Sequence, residues 1–298
     1  MIAGIDGGGT STRLELRDDA NRPVQRLTFG PFNISAVGEA GVRSVLRELC
    51  EAVDVRAIDR LCVGGAGVSF AGLRELLLDE LGAHGFAGGL TLCSDFEIAL
   101  RGAMDGPGGI LIAGTGSIGF GVNETGETAR VGGFGHLIDD EGSGYALGRD
   151  ALSAALRTLD GRMNAPLLRD GVLRFIGGKG TGDILDYVYY QNRGKAAVAA
   201  LSRVTVECAE QGDEVALSIL RRGAQELRAI VEALANRLRM ERPRLALLGG
   251  LLDHEGIYRS LAEEALRAVA QVVSPAHDAL WGAAKLAEEA AGESEVRP

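Results

Sequence analysis

The sequence predicts an α/β protein built from two similar halves, each a mixed β-sheet flanked by helices. Three observations lead to this prediction. Short apolar runs of strand length alternate with stretches whose apolar residues recur three and four positions apart, the spacing of helices. A strand, a glycine turn and a second strand occur twice, on either side of a glycine- and proline-rich segment at residues 105–108. The length of 298 residues is typical of two domains.

The first half is predicted to follow the order β-β-β-α-β-α-β, with one more helix that begins near Phe96. Its strands lie on short apolar or alternating runs, and its helices on apolar residues at helical spacing. The predicted strands are residues 2–5, 13–17, 24–29, 61–63 and 90–93, and the predicted helices contain residues 42–53 and 73–81.

The second half is predicted to open with three strands and to continue with a long helical region. The strands are residues 109–113, 118–122 and 128–131, the helical region is residues 143–240, and a strand at 245–248 and helices at 257–273 and 278–291 follow. The clearest helix has apolar residues at alternating spacings of four and three from Leu220 to Leu238. We therefore predict a first domain over residues 1–106 and a second, with a helical insertion, over residues 107–278.

Composition and charge argue against several classes of partner. A net charge of -10 and a pI near 5.0 disfavour nucleic acid and anionic membranes. No run is apolar and long enough to span a bilayer, and residues 1–10 lack the features of a secretory signal. The four cysteines have no metal-site spacing and are expected to be free buried thiols. We expect a cytoplasmic protein without nucleic acid or membrane partners.

Two glycine turns are candidate phosphate sites. In Asp6-Gly7-Gly8-Gly9-Thr10, the glycines predict a tight turn with positive φ whose N–H groups face a phosphate. Asp6 is predicted to hold a magnesium ion through water. Gly114-Thr115-Gly116-Ser117 has the matching place in the second half, so the two turns would clamp a polyphosphate between the domains. Each turn is also compatible with an ordinary hairpin. A third turn, Gly249-Gly250, would let a flat base approach the backbone. The three lysines lie outside any P-loop motif, which excludes a Walker-type ATPase.

Ser94 and Asp95 lie where a strand ends and a helix begins. Ser94 with Glu97 predicts a capping box, in which Asp95 would only favour the positive end of the helix. Alternatively, Asp95 is a general base that accepts a proton from an attacking hydroxyl. The two interpretations are compatible.

Residues 132–145 combine glycines, acids and aromatic residues in a loop before a helix. Backbone groups and carboxylates in such a loop suit a ligand with many hydroxyl groups, such as a sugar. The alternative is a mobile loop that Ser143 caps at the following helix. His136 is interpreted as a packing residue.

The ordered set DGGGT, SD, GTGS, GGFGHLIDDEGSG and LLGG resembles the BadF/BadG/BcrA/BcrD-type ATPase family, which includes N-acetylglucosamine and glucosamine kinases. The resemblance covers nearly the whole chain. It implies two ribonuclease-H-like domains of the actin-like ATPase type around a cleft that holds ATP and Mg²⁺. It also implies that a last helix, about residues 279–292, packs on the first domain, and that the protein is a homodimer.

By this resemblance, the chain is expected to phosphorylate the 6-hydroxyl of an amino sugar, with N-acetylglucosamine favoured. Asp95 would be the base and Asp6 would hold Mg²⁺ through water. The implied ATP-binding residues are Gly8, Gly9, Thr10, Thr115, Gly116, Ser117, Gly249 and Gly250, and the implied substrate-binding residues are Asn33, Asp95, Gly133, Phe134, Asp140 and Glu141.

Two departures from the family pattern leave the sugar open. Phe134 stands where the family usually has Trp, and Asp139 where it usually has Gly or Ser. The extra carboxylate would favour a free 2-amino group, which makes glucosamine a rival substrate. N-acetylmuramic acid is a separate alternative. An ATPase activator of a 2-hydroxyacyl-CoA dehydratase is a further alternative, but it needs cysteines for an iron–sulfur cluster, and Cys208 lies in a helical stretch. A sugar-sensing regulator without turnover is disfavoured because Asp95 is present and no DNA-binding segment is evident.

Overall fold

The computed structural model describes residues 1–65, 67–68, 70, 72–191 and 194–290. The chain divides into two units. The first consists of Met1–Asp105 with the C-terminal segment that begins at Pro275, and the second is Gly106–Ser274. Each unit has one five-stranded mixed sheet with helices packed against it, which confirms the predicted α/β class.

The first unit has its strands in the order β3-β2-β1-β4-β5. Strand β1 is antiparallel to β2 and parallel to β4, so a three-stranded meander continues into a parallel pair. Gly38, at φ 66°, interrupts the first helix. The elements are β1 (Ile2–Gly7), β2 (Thr12–Arg17), β3 (Pro23–Phe29), α1 (Ile34–Ala52), a 3₁₀ turn (Val55–Ala57), β4 (Arg60–Gly65), α2 (Leu73–Ala83), β5 (Gly89–Cys93), α3 (Asp95–Ala103) and, at the far end of the chain, α11 (Ala279–Glu289).

Helices α1 and α2 lie on one face of this sheet because each has an apolar stripe. Leu46 of α1 and Leu77 of α2 are fully buried with Ile5 and Val63 of the central strands. Burying a side chain of this size stabilises the fold by about 1.5–3 kcal/mol. The apolar positions of these helices and of the central strands are thus confirmed as core positions, whereas β3 is largely exposed.

Helix α11 packs on β1 and α3 at very short range because small residues line the contact. A Cβ at Gly282 would lie 2.0 Å from the carbonyl oxygen of Ile98, and one at Gly102 would lie 2.1 Å from that of Asp278. Only glycine permits such an approach. The contact holds α3, and therefore Asp95 at its first turn, against the sheet.

The second unit repeats the arrangement of the first, with the strand order β10-β9-β6-β7-β8. An antiparallel meander again continues into a parallel pair, which confirms the predicted repeat of strand, glycine turn and strand. The elements are β6 (Gly108–Ala113), β7 (Ser117–Val122), β8 (Thr128–Gly132), α4 (Gly144–Leu159), α5 (Pro166–Ile176), α6 (Thr181–Leu185), a π-helical turn (Asp186–Tyr190), α7 (Gly194–Ala200), α8 (Ser202–Glu210), α9 (Glu214–Leu238), β9 (Arg244–Leu248), α10 (Ile257–Leu266) and β10 (Gln271–Val273).

The prediction of one helix over residues 257–273 is wrong in its second half. Helix α10 ends at Leu266, and residues 271–273 form β10, which pairs in parallel with β9. Valines at 269, 272 and 273 suit a helix by spacing and a strand by their branching at Cβ. The unpaired edge of β9 decides between the two, because it offers hydrogen bonds to a neighbouring strand.

The longest helix, α9, has one apolar face. Leu220, Ala224, Leu227, Val231 and Leu234 are all buried, as the alternating spacing predicted. Its other face is charged. Within the described residues, no helix is both long and apolar enough to cross a membrane.

Candidate functional site

In the first unit, one edge of the sheet collects the residues expected to carry the chemistry. Strands β1, β4 and β5 are parallel, and their pairing ends at Gly7 with Gly65 and at Gly64 with Cys93. Strand β3 runs the same way. The turn after β1, Asn33 after β3 and Asp95 after β5 therefore all follow carboxyl ends of strands at this edge, where α/β folds commonly bind ligands.

The turn after β1 is closed by the Gly8 N–H, which donates to the Ser11 carbonyl at 2.9 Å. The expectation of positive φ is wrong, since Gly7, Gly8 and Gly9 all have negative or extended φ. Glycine is needed for space instead: a Cβ at Gly7 would lie 2.8 Å from Phe32, and one at Gly8 would lie 2.8 Å from Ser11. Gly9 is exposed and has no neighbouring atom within 4 Å, so an anion has room to reach the backbone there.

The same turn lies next to the segment that carries Asn33. The Phe32 N–H donates to the Gly8 carbonyl at 3.0 Å. Asn33 is partly exposed and directly precedes α1. The structure thus brings together the turn after β1 and the segment that carries Asn33, which the sequence analysis expects to bind phosphate and sugar.

Asp6 is paired with an arginine that sequence reasoning missed. Its Oδ2 accepts from Arg13 Nη2 at 2.6 Å, and Arg13 Nη1 lies 3.1 Å from Asp278 Oδ2. No described residue donates a hydrogen bond to Asp6 Oδ1. Within the described part of the chain, no cluster of three possible metal ligands occurs. One free carboxylate oxygen fits a magnesium ion that keeps its waters and is otherwise bound by phosphate.

Asp95 is the first residue of α3 and is exposed. The predicted capping box is confirmed, because the Glu97 N–H donates to Ser94 Oγ at 3.3 Å and the Ser94 N–H donates to Glu97 Oε2 at 2.6 Å. Asp95 Oδ1 accepts from the Phe96 N–H at 3.1 Å. The Asp95 carboxylate lies at the surface, at the N-terminal end of α3.

In the second unit, the turn between β6 and β7 is hydrogen-bonded to the segment of residues 132–145, which we call the acidic loop. The Gly144 N–H donates to the Gly114 carbonyl at 2.8 Å, and Ser117 Oγ donates to the Glu141 carbonyl at 2.7 Å. Ser117 is only 1% exposed, so its hydroxyl is engaged inside the protein. Thr115 is exposed and offers its hydroxyl and N–H at the tip of the turn.

The turn that contains Gly249 and Gly250 lies against the end of β6. The Leu251 N–H donates to the Ala113 carbonyl at 3.1 Å. Gly249 has a φ of +93°, and a Cβ there would lie 2.5 Å from the Ala113 oxygen. Gly250 is exposed with open space beside it. The structure therefore places this turn beside the second phosphate turn, which begins at Gly114.

The acidic loop holds Phe134 at the surface through contacts within the second unit. The Phe134 N–H donates to Asp139 Oδ2 at 3.0 Å, and the Arg130 guanidinium lies 5.0 Å from the Phe134 ring. Phe134 is 64% exposed. Gly133, at φ +74°, turns the chain just before it. Asp139, the departure from the family pattern, thus orders the loop with one of its oxygens.

The two acids that follow have different environments. Asp140 is 4% exposed with φ +65°, and its Oδ2 would lie 2.9 Å from a Cβ at Gly116. No described residue donates a hydrogen bond to its carboxylate. Glu141 is half-exposed and receives two hydrogen bonds of 2.9 Å from Arg149. This bidentate pairing raises the pKa of Arg149 against the cost of its burial.

Tyr258 holds the acidic loop through a buried hydrogen bond. It is 2% exposed, and its Oη donates to the Gly142 carbonyl at 2.6 Å. Burial raises the pKa of Tyr258, so the phenol keeps its proton. Sequence reasoning missed Tyr258, Arg149 and Arg13, because a tyrosine or arginine on a helix or strand carries no local signal of its partner.

A cavity of about 270 Å³ lies between the acidic loop and α9. Its lining is acidic on the polar side and apolar elsewhere. The lining residues are Val131, Gly132, Phe134, Asp139, Glu141, Glu226, Ala229 and Ile230.

The repeated sheets, each with a glycine turn after its first strand, are those of the actin-like ATPase class. Such turns and a carboxylate at the same edge suit the binding of nucleotide phosphates. The chain belongs to the BadF/BadG/BcrA/BcrD ATPase family, whose model matches residues 3–287.

Similar proteins include sugar kinases. The chain is 33% identical over 262 residues to the N-acetylmuramic acid/N-acetylglucosamine kinase of Clostridium acetobutylicum, a match that covers 85% of this chain and 86% of that protein. It is 27% identical over 312 aligned positions to the N-acetyl-D-glucosamine kinase of Dictyostelium discoideum, with 96% and 97% covered. The crystal structure of a candidate N-acetylglucosamine kinase from Chromobacterium violaceum is similar with a TM-score of 0.75 and 28% identity, covering 95% of this chain and 97% of that one.

Proposed function

We propose that this protein is an ATP-dependent kinase that phosphorylates the 6-hydroxyl of an amino sugar, with N-acetylglucosamine as the favoured substrate. One observation carries the proposal: the exposed carboxylate of Asp95 lies at the same sheet edge as the open phosphate turn at Gly9. A base next to a phosphate site is the arrangement that transfer of a phosphoryl group to a hydroxyl requires. The names of the relatives support the choice of sugar.

In the proposed mechanism, Asp95 accepts the proton of the 6-hydroxyl as that oxygen attacks the γ-phosphorus in line. The N–H groups of the two glycine turns, at Gly8, Gly9 and Thr10 and at Thr115, Gly116 and Ser117, bind the phosphates, and Gly249 and Gly250 lie along the adenosine. Magnesium, when bound, would offset the charge that develops on the phosphate oxygens. Asp6 would hold it through water with its free Oδ1.

For the sugar, we propose contacts from Asn33, Gly133, Phe134, Asp140 and Glu141. The carboxylate of Asp140 supports this assignment: no described residue donates to it, and its oxygens still reach solvent, so they can accept from a ligand hydroxyl. Arg149 holds Glu141 in one orientation, so little conformational freedom remains to be lost when a hydroxyl binds.

The charge around the acidic loop favours some of the candidate sugars over others. Asp139 and Glu226 line the cavity beside Phe134, and an anionic lactyl group placed there would be repelled. We therefore propose that N-acetylmuramic acid is a poorer substrate than N-acetylglucosamine. Asp139 already accepts the Phe134 N–H, which weakens the case for a specific contact with the amine of glucosamine.

The test is ADP release with Mg²⁺-ATP across N-acetylglucosamine, glucosamine, N-acetylmuramic acid, glucose and no sugar, with the product identified by ³¹P NMR. We expect strong stimulation by one amino sugar and a 6-phosphate product. Hydrolysis that no sugar stimulates would contradict the proposal.

The role of Asp95 is tested with Asp95→Asn, which we expect to lower kcat by roughly 10²-fold or more and to leave nucleotide binding nearly intact. The control is Asp105→Asn, the same change beyond the other end of α3, at an exposed aspartate. Near-full turnover in Asp95→Asn would show that Asp95 is not the base.

We further propose a homodimer, on the family resemblance, and a cytoplasmic location, which fits the four free cysteines. Light scattering on the purified protein and fractionation of its native cells test the two statements.

A further inference from the structure

Arg13 is shared between two carboxylates that come from opposite ends of the chain. In the β1–β2 pairing it lies directly opposite Asp6, and its guanidinium bonds Asp6 Oδ2 at 2.6 Å through one nitrogen and Asp278 Oδ2 at 3.1 Å through another. The three side chains are between 20% and 41% exposed. One cation is thus held by two anions beside the first phosphate turn.

Asp278 is itself held rigidly. It is the N-cap of α11, where its Oδ1 accepts from the Trp281 N–H at 2.9 Å while Oδ2 faces Arg13. Helix α11 cannot shift towards Arg13, because its backbone touches β1 so closely that a Cβ at Gly4 would lie 2.3 Å from the Ala284 nitrogen. Asp278 therefore offers Arg13 an acceptor at a fixed position.

The shared arginine has an electrostatic consequence for Asp6. A pair of Asp6 and Arg13 alone would be neutral and would attract a cation weakly. With Asp278 the group has a net charge of -1, and Arg13 divides its hydrogen bonds between two acceptors. The electrostatic potential at the free Oδ1 of Asp6 is therefore more negative than it would be beside an isolated Asp6–Arg13 ion pair.

We infer that Asp278 is a positioning residue for the phosphate turn: by sharing Arg13 with Asp6, it keeps Asp6 able to hold a hydrated magnesium ion that accompanies the nucleotide. This inference rests on the proposed function, in which Asp6 is the magnesium-holding residue. Asp278 itself touches neither metal nor substrate in this arrangement.

The variant that tests the inference is Asp278→Asn. Asparagine is as good an N-cap as aspartate, so α11 keeps its cap, while Arg13 loses its second anionic acceptor. The measurement is the dissociation constant of ADP by calorimetry, once with excess Mg²⁺ and once with EDTA. The dissociation constant in EDTA divided by the one in excess Mg²⁺ reports how strongly the metal promotes nucleotide binding. This ratio involves no turnover.

We expect Asp278→Asn to lower this ratio by roughly 5-fold, because one unit of negative charge near the metal is lost in a partly solvated site. A purely structural role would weaken ADP binding equally with and without Mg²⁺ and leave the ratio unchanged. The matched control is Asp54→Asn, since Asp54 is also an N-cap of the first unit and also pairs with an arginine, Arg56. It should leave the ratio at the wild-type value.

The variant Asp6→Asn shows whether a negative result contradicts the role of Asp278 or the assignment of magnesium to Asp6. If Asp6→Asn brings the ratio close to one while Asp278→Asn leaves it unchanged, the inference about Asp278 is wrong and the proposed role of Asp6 stands. If Asp6→Asn has no effect on the ratio, the assignment of magnesium to Asp6 is wrong, and the inference falls with it.

Discussion

Replacing Tyr258 with phenylalanine removes a single oxygen, but that oxygen holds the acidic loop. Its bond to the Gly142 carbonyl is 2.6 Å long, and both residues are buried. Phenylalanine fills nearly the same space, so the main cost is a buried carbonyl without a donor, about 1–3 kcal/mol. Gly142 directly follows Glu141, so a loosened loop should also raise KM for the sugar several-fold.

The assay compares the urea midpoint, followed by far-UV circular dichroism, with the sugar KM. Tyr187→Phe is the matched control, because Tyr187 is also buried and donates to a backbone carbonyl, that of Ala197, at 3.0 Å outside the acidic loop. We expect both variants to lose similar stability and only Tyr258→Phe to raise KM. Unchanged stability in Tyr258→Phe, or an equal rise of KM in both variants, would refute the reasoning.

Two further predictions concern the third glycine turn, Gly249-Gly250, and a thiol. Gly249→Ala should cost about 1–3 kcal/mol and weaken ADP binding, because its φ is +93° and its Cβ would meet a carbonyl oxygen at 2.5 Å. Gly250→Ala has open space in the protein and should leave the free energy of unfolding nearly unchanged. Urea titration compares the stability of the two variants, and calorimetry measures ADP binding by Gly249→Ala. Burial, and then the charge of Glu80, raises the pKa of Cys50 to about 11. Its alkylation, mapped by mass spectrometry, should therefore be slow at pH 8 and increase up to about pH 11. Because the folded pKa exceeds the unfolded value of roughly 8.5, this thiol's contribution to stability is complete below that pH and declines as the pH rises towards 11. A labelling midpoint near 8.5 would contradict the prediction.

The elements that the sequence predicts correctly are those whose cause is local. Ser94 and Glu97 are three residues apart, so their capping box follows from the helix start alone. The apolar spacing in α9 and the strand, glycine turn and strand of each unit likewise need only near neighbours along the chain. For the same reason, the positions of the glycine turns after β1 and after β6 could be predicted without a structure.

The errors have a common origin in contacts between distant residues. Strand β10 forms because β9 offers an open edge, not because of its own sequence. The glycines after β1 are required by the approach of Phe32 rather than by positive φ.

By itself, the sequence determined the class of fold, the order of the strands and α-helices in residues 1–103 and the candidate residues at the ends of strands. Only the tertiary structure decided which of them have partners. Arg13 meets Asp278 across 265 residues, and Tyr258 meets Gly142 across 116. The physical reason is that periodicity and turn chemistry act within a few residues, whereas the charge and orientation of a site depend on side chains that only folding brings together.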